Sequence, residues 1–199
     1  MIVIDTETTG LNYTPEKGVV DEILQLSIIN DKGECLYNSY FKPLFHDTWD
    51  GAMAVNHITP DMVKDAPSFK SEISKINAIL NTAEIGGYNT QFDINMLKVN
   101  GATVPPDSVI IDAMRAFPER YRIWSKKYHS FKWVKLTQAA EHYGYNWNGD
   151  TAHDSLADCR ATLHVIKEEA AERECESIFS KLAWKVRRPF VIMMASMKK

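Results

Sequence analysis

The sequence has no apolar run long enough to cross a bilayer, no low-complexity tract and no internal repeat. A membrane-spanning helix needs about 20 mostly apolar residues, so we expect no membrane association. No leader precedes the first predicted strand, which starts at Met1, and we therefore expect a cytoplasmic protein. Cysteines are few: Cys35, Cys159 and Cys175 are an odd number without metal-ligand spacing, which is typical of reduced cytosolic thiols.

The sequence also has no excess of basic residues, because its net charge is −3. The chain therefore lacks the global positive field that attracts nucleic acids. This absence does not exclude a nucleic-acid partner, because acidic residues at a metal site would themselves lower the net charge. The length of 199 residues and the 45% share of hydrophobic residues fit one globular domain with an elaboration.

What the sequence does contain is an acidic pair at the end of an apolar run near its beginning. The β-branched run 2–4 predicts a strand buried on both faces, and Asp5 and Glu7 follow it. Side chains two positions apart point to the same side of a strand, so the two carboxylates should lie together. Their repulsion would be relieved by a divalent cation, which prefers carboxylate oxygens. The alternative is a strand that runs into a solvated polar turn.

The rest of the chain predicts alternating strands and helices. A hairpin turn over residues 30–33 joins two strands, so the sheet should start with antiparallel pairing. Further strands and helices follow Ser68, a candidate helix N-cap. Predicted strands cover residues 22–29, 34–41, 83–88 and 109–112; predicted helices cover 69–80, 91–100, 135–143 and 154–173, with short broken helices over 47–65. This order predicts an α/β fold in which helices flank a mixed β-sheet.

Three further residues could join the acidic pair. Asp93 lies in the first turn of its predicted helix, where the helix dipole alone would favour an acid. Asp158 lies near Ala161 and Thr162, and such surroundings are unusual for an acid on a solvated helix face. His153 precedes the same helix, where a histidine can equally be a capping or surface residue. Together the four acids and the histidine form a candidate metal and catalytic set.

Three segments in this order resemble the exonuclease motifs of the DnaQ-like 3′–5′ exonucleases. They are Asp5-Thr6-Glu7-Thr8-Thr9-Gly10-Leu11, Asn89-Thr90-Gln91-Phe92-Asp93 and His153-Asp154-Ser155-Leu156-Ala157-Asp158. The histidine five residues before the last aspartate marks the DEDDh branch, which includes the proofreading subunit of bacterial DNA polymerase III, exonuclease I, ribonuclease T and the TREX enzymes. The resemblance implies a ribonuclease H-like sheet, with three antiparallel strands and then parallel ones, in an exonuclease domain of residues 1–172.

The resemblance also implies the chemistry. Asp5, Glu7, Asp93 and Asp158 would hold two Mg²⁺ or Mn²⁺ ions, and His153 would be the general base that takes a proton from water. The product would be nucleoside 5′-monophosphates from the 3′ end of DNA, with single strands preferred. The residues expected to contact or frame the terminal nucleotide are Thr6, Thr8, Thr9, Leu11, His57 and Asn89.

Two alternatives remain open at this point. An RNA exonuclease of the ribonuclease T or oligoribonuclease kind would carry the same motifs, because the phosphodiester chemistry is the same and discrimination depends on the 2′-hydroxyl. A non-catalytic nucleic-acid-binding protein on the same fold would have no need of a histidine that activates water.

Two segments fall outside the motifs. Residues 113–134 interleave aromatic rings with Arg and Lys, which is typical of single-strand binding but also of loops that use rings for packing. Residues 173–199 form a basic and apolar extension, with six bases and no acid after Glu176. This extension is predicted either to pack on the domain or to dock a polymerase, another replication or repair protein, or nucleic acid.

Overall fold

The computed structural model describes the backbone of residues 1–81, 84–117 and 123–196, and within these ranges the side chains up to residue 177. A five-stranded mixed sheet lies at the centre. Its strands are β1 (Ile2–Thr8), β2 (Ile23–Asn30), β3 (Cys35–Tyr40), β4 (Glu84–Gly87) and β5 (Val109–Asp112), in the order β3-β2-β1-β4-β5. β1, β2 and β3 pair antiparallel, whereas β4 and β5 run parallel to β1. The predicted α/β class and the predicted change of strand direction are both confirmed.

Helices follow the strands at the predicted places. They are α1 (Asp50–Asn56), α2 (Pro60–Val63), α3 (Phe69–Leu80), α4 (Thr90–Val99), α5 (Ala113–Ala116), α6 (Leu136–His142) and α7 (Ser155–Ser196). Ser68 caps α3 as predicted, since its side chain accepts a hydrogen bond from the Ser71 N–H. A short 3₁₀ helix covers Pro15–Lys17. Ala83, the predicted first residue of the fourth strand, lies outside the described residues.

The main hydrophobic core lies between the sheet and helices α3 and α4. Ile4, Ile28, Ile76 and Ile85 are fully buried in it. Because β1 has β2 on one side and β4 on the other, its apolar half is enclosed by the sheet and the helices. Its acidic positions, by contrast, remain partly open to solvent.

The aromatic and basic segment 113–134 contains more regular structure than its sequence predicted. After α5, two short strands, β6 (Trp124–Ser125) and β7 (Ser130–Phe131), pair as an antiparallel hairpin. Arg120, Tyr121 and Arg122, which contribute to the ring-and-base pattern, lie outside the described residues.

The chain divides into two compact units, Met1–Val165 and Ile166–Lys199. α7 runs continuously from Ser155 to Ser196, whereas the sequence predicted a helix that ends near Arg173. Residues 174–188 contain neither Gly nor Pro, the usual helix terminators, so no such residue ends the helix near Arg173; Pro189 lies within its range. The apolar and basic tail residues beyond 177 lie outside the described side chains, so the predicted packing or docking role of 173–199 stays a prediction. In the part of the chain that is described, no helix is long and apolar enough to span a membrane.

Candidate active site

β1 carries the first two acids at the middle of the sheet. Asp5 lies opposite Ser27 of β2, and Glu7 lies opposite Gln25. Ile4 is fully buried while Asp5 and Glu7 are partly exposed. The alternation of a strand therefore places both carboxyl groups together at its carboxyl end, as the sequence predicted.

Asp93 reaches the same end of the sheet from the first turn of α4. β4 is parallel to β1, so the helix that follows β4 starts beside the carboxyl end of β1. The Asp93 carboxylate is almost fully buried. One of its oxygens accepts hydrogen bonds from the Thr6 backbone N–H at 2.9 Å and from the Thr6 hydroxyl at 2.7 Å. β1 thus fixes the orientation of the third acid through Thr6.

Asp158 lies in the first turn of α7, and His153 lies just before that helix. The His153 backbone N–H donates to Asp158 Oδ2 at 3.1 Å. Asp158 Oδ1 is buried and has no hydrogen-bond partner among the described residues. An unpartnered buried carboxylate oxygen is costly, and a cation at this position would satisfy it. His153 itself is exposed, whereas Asp5 and Glu7 are partly exposed and Asp93 and Asp158 are buried.

A polar network from β2 holds the start of α7 in place. Asp154 caps the helix by accepting from the Leu156 and Ala157 N–H groups at 3.2 and 3.1 Å. Gln25 donates to Asp154 at 3.1 Å and accepts from the Ser155 N–H at 3.3 Å. The sequence assigned Gln25 only to a strand, because the partner segment lies about 130 residues away. The feature that marks Gln25 as a site residue is the burial of its polar side chain in β2. Burial is known only once the fold is known, so the sequence could not reveal this role.

Burial raises the pKa values of all four acids, and the charges of the other site acids add to it at Asp5 and Glu7. Burial raises the pKa of Asp5 well above its usual range, and the nearby charges of Asp93, Asp158 and Glu7 raise it further. Burial, followed by the charges of Asp158 and Asp93, raises the pKa of Glu7 to about 8. Burial raises the pKa of Asp93 to about 7, against the two hydrogen bonds from Thr6. Burial raises that of Asp158 to about 6. Carboxyl groups in this state are ready to release protons in exchange for a divalent cation.

Glu7, His153 and Asp158 form a candidate metal cluster among the described residues. One potential ligand atom from each lies within 4.8 Å of the other two. This donor set, carboxylate oxygen with imidazole nitrogen, suits hard or borderline divalent cations. Burial, and then electrostatic repulsion from the neighbouring His57 and Lys135 side chains, lower the pKa of His153. The neutral imidazole that results can accept a proton or bind a cation.

Three of the predicted site residues have left-handed backbone conformations. The φ angles of His57, Asn89 and His153 are 59°, 66° and 69°. Such angles are uncommon in residues other than glycine and often occur at functional sites. Asn89 is held in this conformation where its N–H donates to the Asp112 carboxylate at 3.0 Å.

The remaining predicted substrate residues differ in accessibility. The Thr8 hydroxyl donates to the Gly10 carbonyl at 2.6 Å, and the Thr9 hydroxyl donates to Asp21 at 2.9 Å. Both hydroxyls, like that of Thr6, are therefore engaged within the protein. Leu11 is 78% exposed, so its side chain is available to a base. The contacts of Thr6, Thr8, Thr9, Leu11, His57 and Asn89 with a nucleotide stay predictions.

A cavity of about 460 Å³ opens beside the acidic cluster. Its walls include His153, Asp158, Tyr88, Trp133 and Lys135. The cavity combines a carboxylate, an imidazole, a cation and aromatic rings. These are the groups that a phosphate, a metal ion and a nucleobase would require.

Clustered acids that could hold divalent cations are typical of metal-dependent nucleases. The sequence profile of the RNase_T exonuclease family matches residues 2–166. The chain belongs to this exonuclease family, within the DnaQ-like superfamily, as its motifs predicted.

Relatives and solved structures agree with this membership. The chain is 32% identical to an uncharacterized exonuclease, CP81, of Escherichia phage 186 over 83% of this chain and 85% of that protein. It is 29% identical to RNA exonuclease 4 of Candida glabrata over 83% of this chain, but it spans only 58% of that protein.

Among solved structures, an E. coli exonuclease I–single-stranded DNA complex matches with a TM-score of 0.65 and 19% identity, over 91% of this chain and 42% of that chain. Exonuclease X in complex with 5′-overhanging duplex DNA matches with a TM-score of 0.61 and 21% identity, over 86% of this chain and 91% of that chain. At these identities the structural matches establish the shared fold.

Proposed function

We propose that this protein is a metal-dependent 3′–5′ exonuclease that releases nucleoside 5′-monophosphates from the 3′ end of DNA, preferentially single-stranded DNA. The observation that carries the proposal is the convergence of four acids from β1, α4 and α7, with His153, beside one open cavity. These residues are up to about 150 positions apart in the sequence, and such a costly cluster of buried carboxyl groups requires a compensating ligand.

Asp5, Glu7, Asp93 and Asp158 are the residues that would hold two Mg²⁺ or Mn²⁺ ions. Such cations supply positive charge for the phosphate and lower the pKa of a nearby water. The unpartnered Asp158 Oδ1 and the raised pKa values of the cluster both fit this occupancy. Thr6 keeps the Asp93 carboxylate oriented, and Gln25 with Asp154 keeps the start of α7 in place.

His153 is the proposed general base. Its ring is exposed at the cavity, and the lowered pKa keeps it neutral near pH 7, so a ring nitrogen can take the proton of the attacking water. Water attacks the terminal phosphodiester, the bond to the 3′ oxygen of the preceding nucleotide breaks, and a 5′-monophosphate leaves. A site that takes one terminal nucleotide favours unpaired ends, because separating a base pair costs a few kcal/mol.

RNA is the second candidate substrate. It is supported by the RNA exonuclease 4 proteins of several fungi and of Xenopus, which are 26–29% identical to this chain. The catalytic set acts on the phosphodiester and does not distinguish the two sugars. A non-catalytic binding protein on this fold is the third candidate, and a complete set of acids with His153 argues against it.

The deciding experiment compares DNA and RNA strands of the same sequence, labelled at the 5′ or the 3′ end, with Mg²⁺, Mn²⁺ or EDTA. We expect immediate release of the 3′ label, a ladder from the 5′ label, no reaction in EDTA, and a higher kcat/KM on DNA. A higher kcat/KM on RNA would assign the RNA alternative.

The same assay also tests the site and the polarity. Asp158→Asn should abolish cleavage while the far-UV circular dichroism stays unchanged, and Asp31→Asn on the exposed hairpin turn is the matched control. Cleavage of a closed circular single strand would show an endonuclease. Binding without any cleavage under all metal conditions would show the non-catalytic protein.

A further inference from the structure

The hairpin formed by residues 123–133, here called the aromatic hairpin, presents large rings to solvent. Trp124, Tyr128 and Trp133 are 53%, 68% and 69% exposed. The hairpin has a defined structure: the Lys132 N–H donates to the Ile123 carbonyl at 2.7 Å, and Trp124 packs edge-on against Phe131 at 5.4 Å. Several large apolar rings exposed to water on one hairpin are typical of a surface that binds a ligand or a macromolecule.

The aromatic hairpin also carries positive charge. The hairpin contains Lys126, Lys127 and Lys132 and no acid, and Lys135 follows it two residues later. All four lysines are exposed. Lys127 lies over the Tyr128 ring, with its ammonium group 4.8 Å from the ring centre. This charge contrasts with the overall −3 of the chain. It is complementary to a phosphate backbone, and the rings provide planar faces for bases.

Trp133 connects this surface to the catalytic cavity. It lines the cavity that contains His153 and Asp158, and it also lines a second cavity, of about 560 Å³, on the hairpin itself. The second cavity is bordered by Tyr128, Phe131 and Lys132. The position of Trp133 is anchored next to the site, because the Tyr88 hydroxyl donates to the Val134 carbonyl at 2.6 Å and Tyr88 precedes Asn89.

We infer that the aromatic hairpin binds the single strand on the 5′ side of the terminal nucleotide, with bases stacked on Trp133 and Tyr128 and phosphates near Lys127 and Lys132. The inference rests on the proposed function, because it extends the path of the substrate away from the catalytic cavity. Stacking on rings is tolerant of sequence and of the sugar. The surface therefore takes single-stranded DNA or RNA, and it should make the enzyme prefer longer strands to dinucleotides.

Two measurements separate this surface from the catalytic centre. The first is the dissociation constant of 5′-fluorescein-labelled dT₁₂ and rU₁₂ in EDTA, where no cleavage takes place. The second is the ratio of kcat/KM on the 12-mer to kcat/KM on the dinucleotide of the same base, in Mg²⁺. Trp133→Ala and Tyr128→Ala should each weaken 12-mer binding by about 5- to 100-fold, the effect of removing a stacked base. Both substitutions should also lower the ratio.

The lysines have a separate signature. Lys132→Gln should reduce the slope of log Kd against log salt by about 0.7, the contribution of one phosphate contact on a single strand.

The matched control for the aromatic substitutions is Phe45→Ala, which removes a ring that is 77% exposed on a different loop. Phe45→Ala should leave the affinity, the salt slope and the ratio as in the wild type.

The outcomes distinguish the two proposals. If the wild type cleaves strands but Trp133→Ala and Tyr128→Ala keep its 12-mer affinity and its ratio, the inference is overturned and the exonuclease proposal stands. If the wild type binds dT₁₂ or rU₁₂ and the substitutions weaken binding, but no metal supports cleavage, the inference holds and the proposed function fails. Equal weakening on dT₁₂ and rU₁₂ supports stacking, whereas loss on one sugar only would contradict it.

Discussion

Removing one ionisable carboxyl group from the acidic cluster should stabilise the metal-free protein. Glu7→Gln keeps the size of the side chain and eliminates a carboxyl group whose pKa is raised to about 8 by burial and by the charges of Asp158 and Asp93. A raised pKa means that the folded state holds the proton more tightly than the unfolded chain, whose usual value is 4.5. The contribution of Glu7 to the free energy of unfolding is therefore most favourable below about pH 4.5, and it is lost as the pH rises toward about 8.

The size of the effect follows from the same shift. At pH 7 the unfolded chain has lost the Glu7 proton and the folded protein largely retains it, which costs at most about 3 kcal/mol at 1.36 kcal/mol per pKa unit. The acids share this cost, and a buried glutamine amide has its own desolvation penalty, so we expect a gain of about 2 kcal/mol. For a protein of this length that raises Tm by about 4–8 °C. At pH 5 the gain should be below about 1 kcal/mol.

Scanning calorimetry of the wild type and Glu7→Gln in EDTA, at pH 5, 7 and 8, measures the effect. Glu16→Gln is the matched control, because Glu16 is exposed on the short 3₁₀ helix and its loss should shift Tm by less than about 2 °C. Addition of Mg²⁺ should raise the Tm of the wild type more than that of Glu7→Gln, since the cation stabilises only a site with intact ligands.

An unchanged or lower Tm of Glu7→Gln in EDTA at pH 7 would refute the reasoning. It would show that the cluster is not electrostatically strained, and that the carboxyl groups are solvated or farther apart than the structure places them. A gain that grows from pH 7 to pH 5 would refute it as well, because the sign of the linkage would be reversed.

Three further predictions concern neighbouring residues. His153→Ala should slow single-turnover cleavage by about 10²–10⁴-fold and flatten the acid limb of the pH–rate profile, which the lowered pKa of His153 places below 6.5. Thr6→Val removes the 2.7 Å hydrogen bond to Asp93 and should weaken Mn²⁺ binding, measured by calorimetry, by about 10- to 100-fold. Gly10→Ala would place a methyl carbon 2.5 Å from the Asp21 carboxylate and should lower the free energy of unfolding in urea by about 1–3 kcal/mol.

Each of these has a contrary outcome. Parallel loss of Mn²⁺ affinity and rate in His153→Ala would make His153 a ligand rather than the base, which its distance to Glu7 and Asp158 also permits. Unchanged Mn²⁺ affinity in Thr6→Val would show that Thr6 only packs. For Gly10→Ala the control is Gly51→Ala in α1, where no atom lies within 4 Å of the added carbon; equal stability of the two variants would rule out the predicted clash.

Local patterns predicted the five strands of the central sheet and the helices α3, α4 and α6, but not the β6–β7 hairpin or the end of α7. The period of two along residues 2–8 predicted that Asp5 and Glu7 share one side of β1, and a strand allows no other arrangement. The turn at 30–33 predicted the antiparallel start of the sheet. The spacing of His153 and Asp158 at the start of a helix likewise depends only on nearby residues. These features are fixed by backbone geometry within about ten residues, so the sequence alone determines them.

Only the tertiary structure decided how the members of the site are held and charged. The hydrogen bonds from Thr6 to Asp93 and from Gln25 to Asp154 join segments 87 and 129 residues apart, and no local pattern encodes such a pairing. The raised pKa values depend on burial and on distances between carboxyl groups, which exist only once β1, α4 and α7 meet. The place of Trp133 on the wall of the cavity beside the acidic cluster depends in the same way on the contact between Tyr88 and Val134. The sequence determines which side chains are present, and packing between distant segments determines how these side chains are arranged around the site.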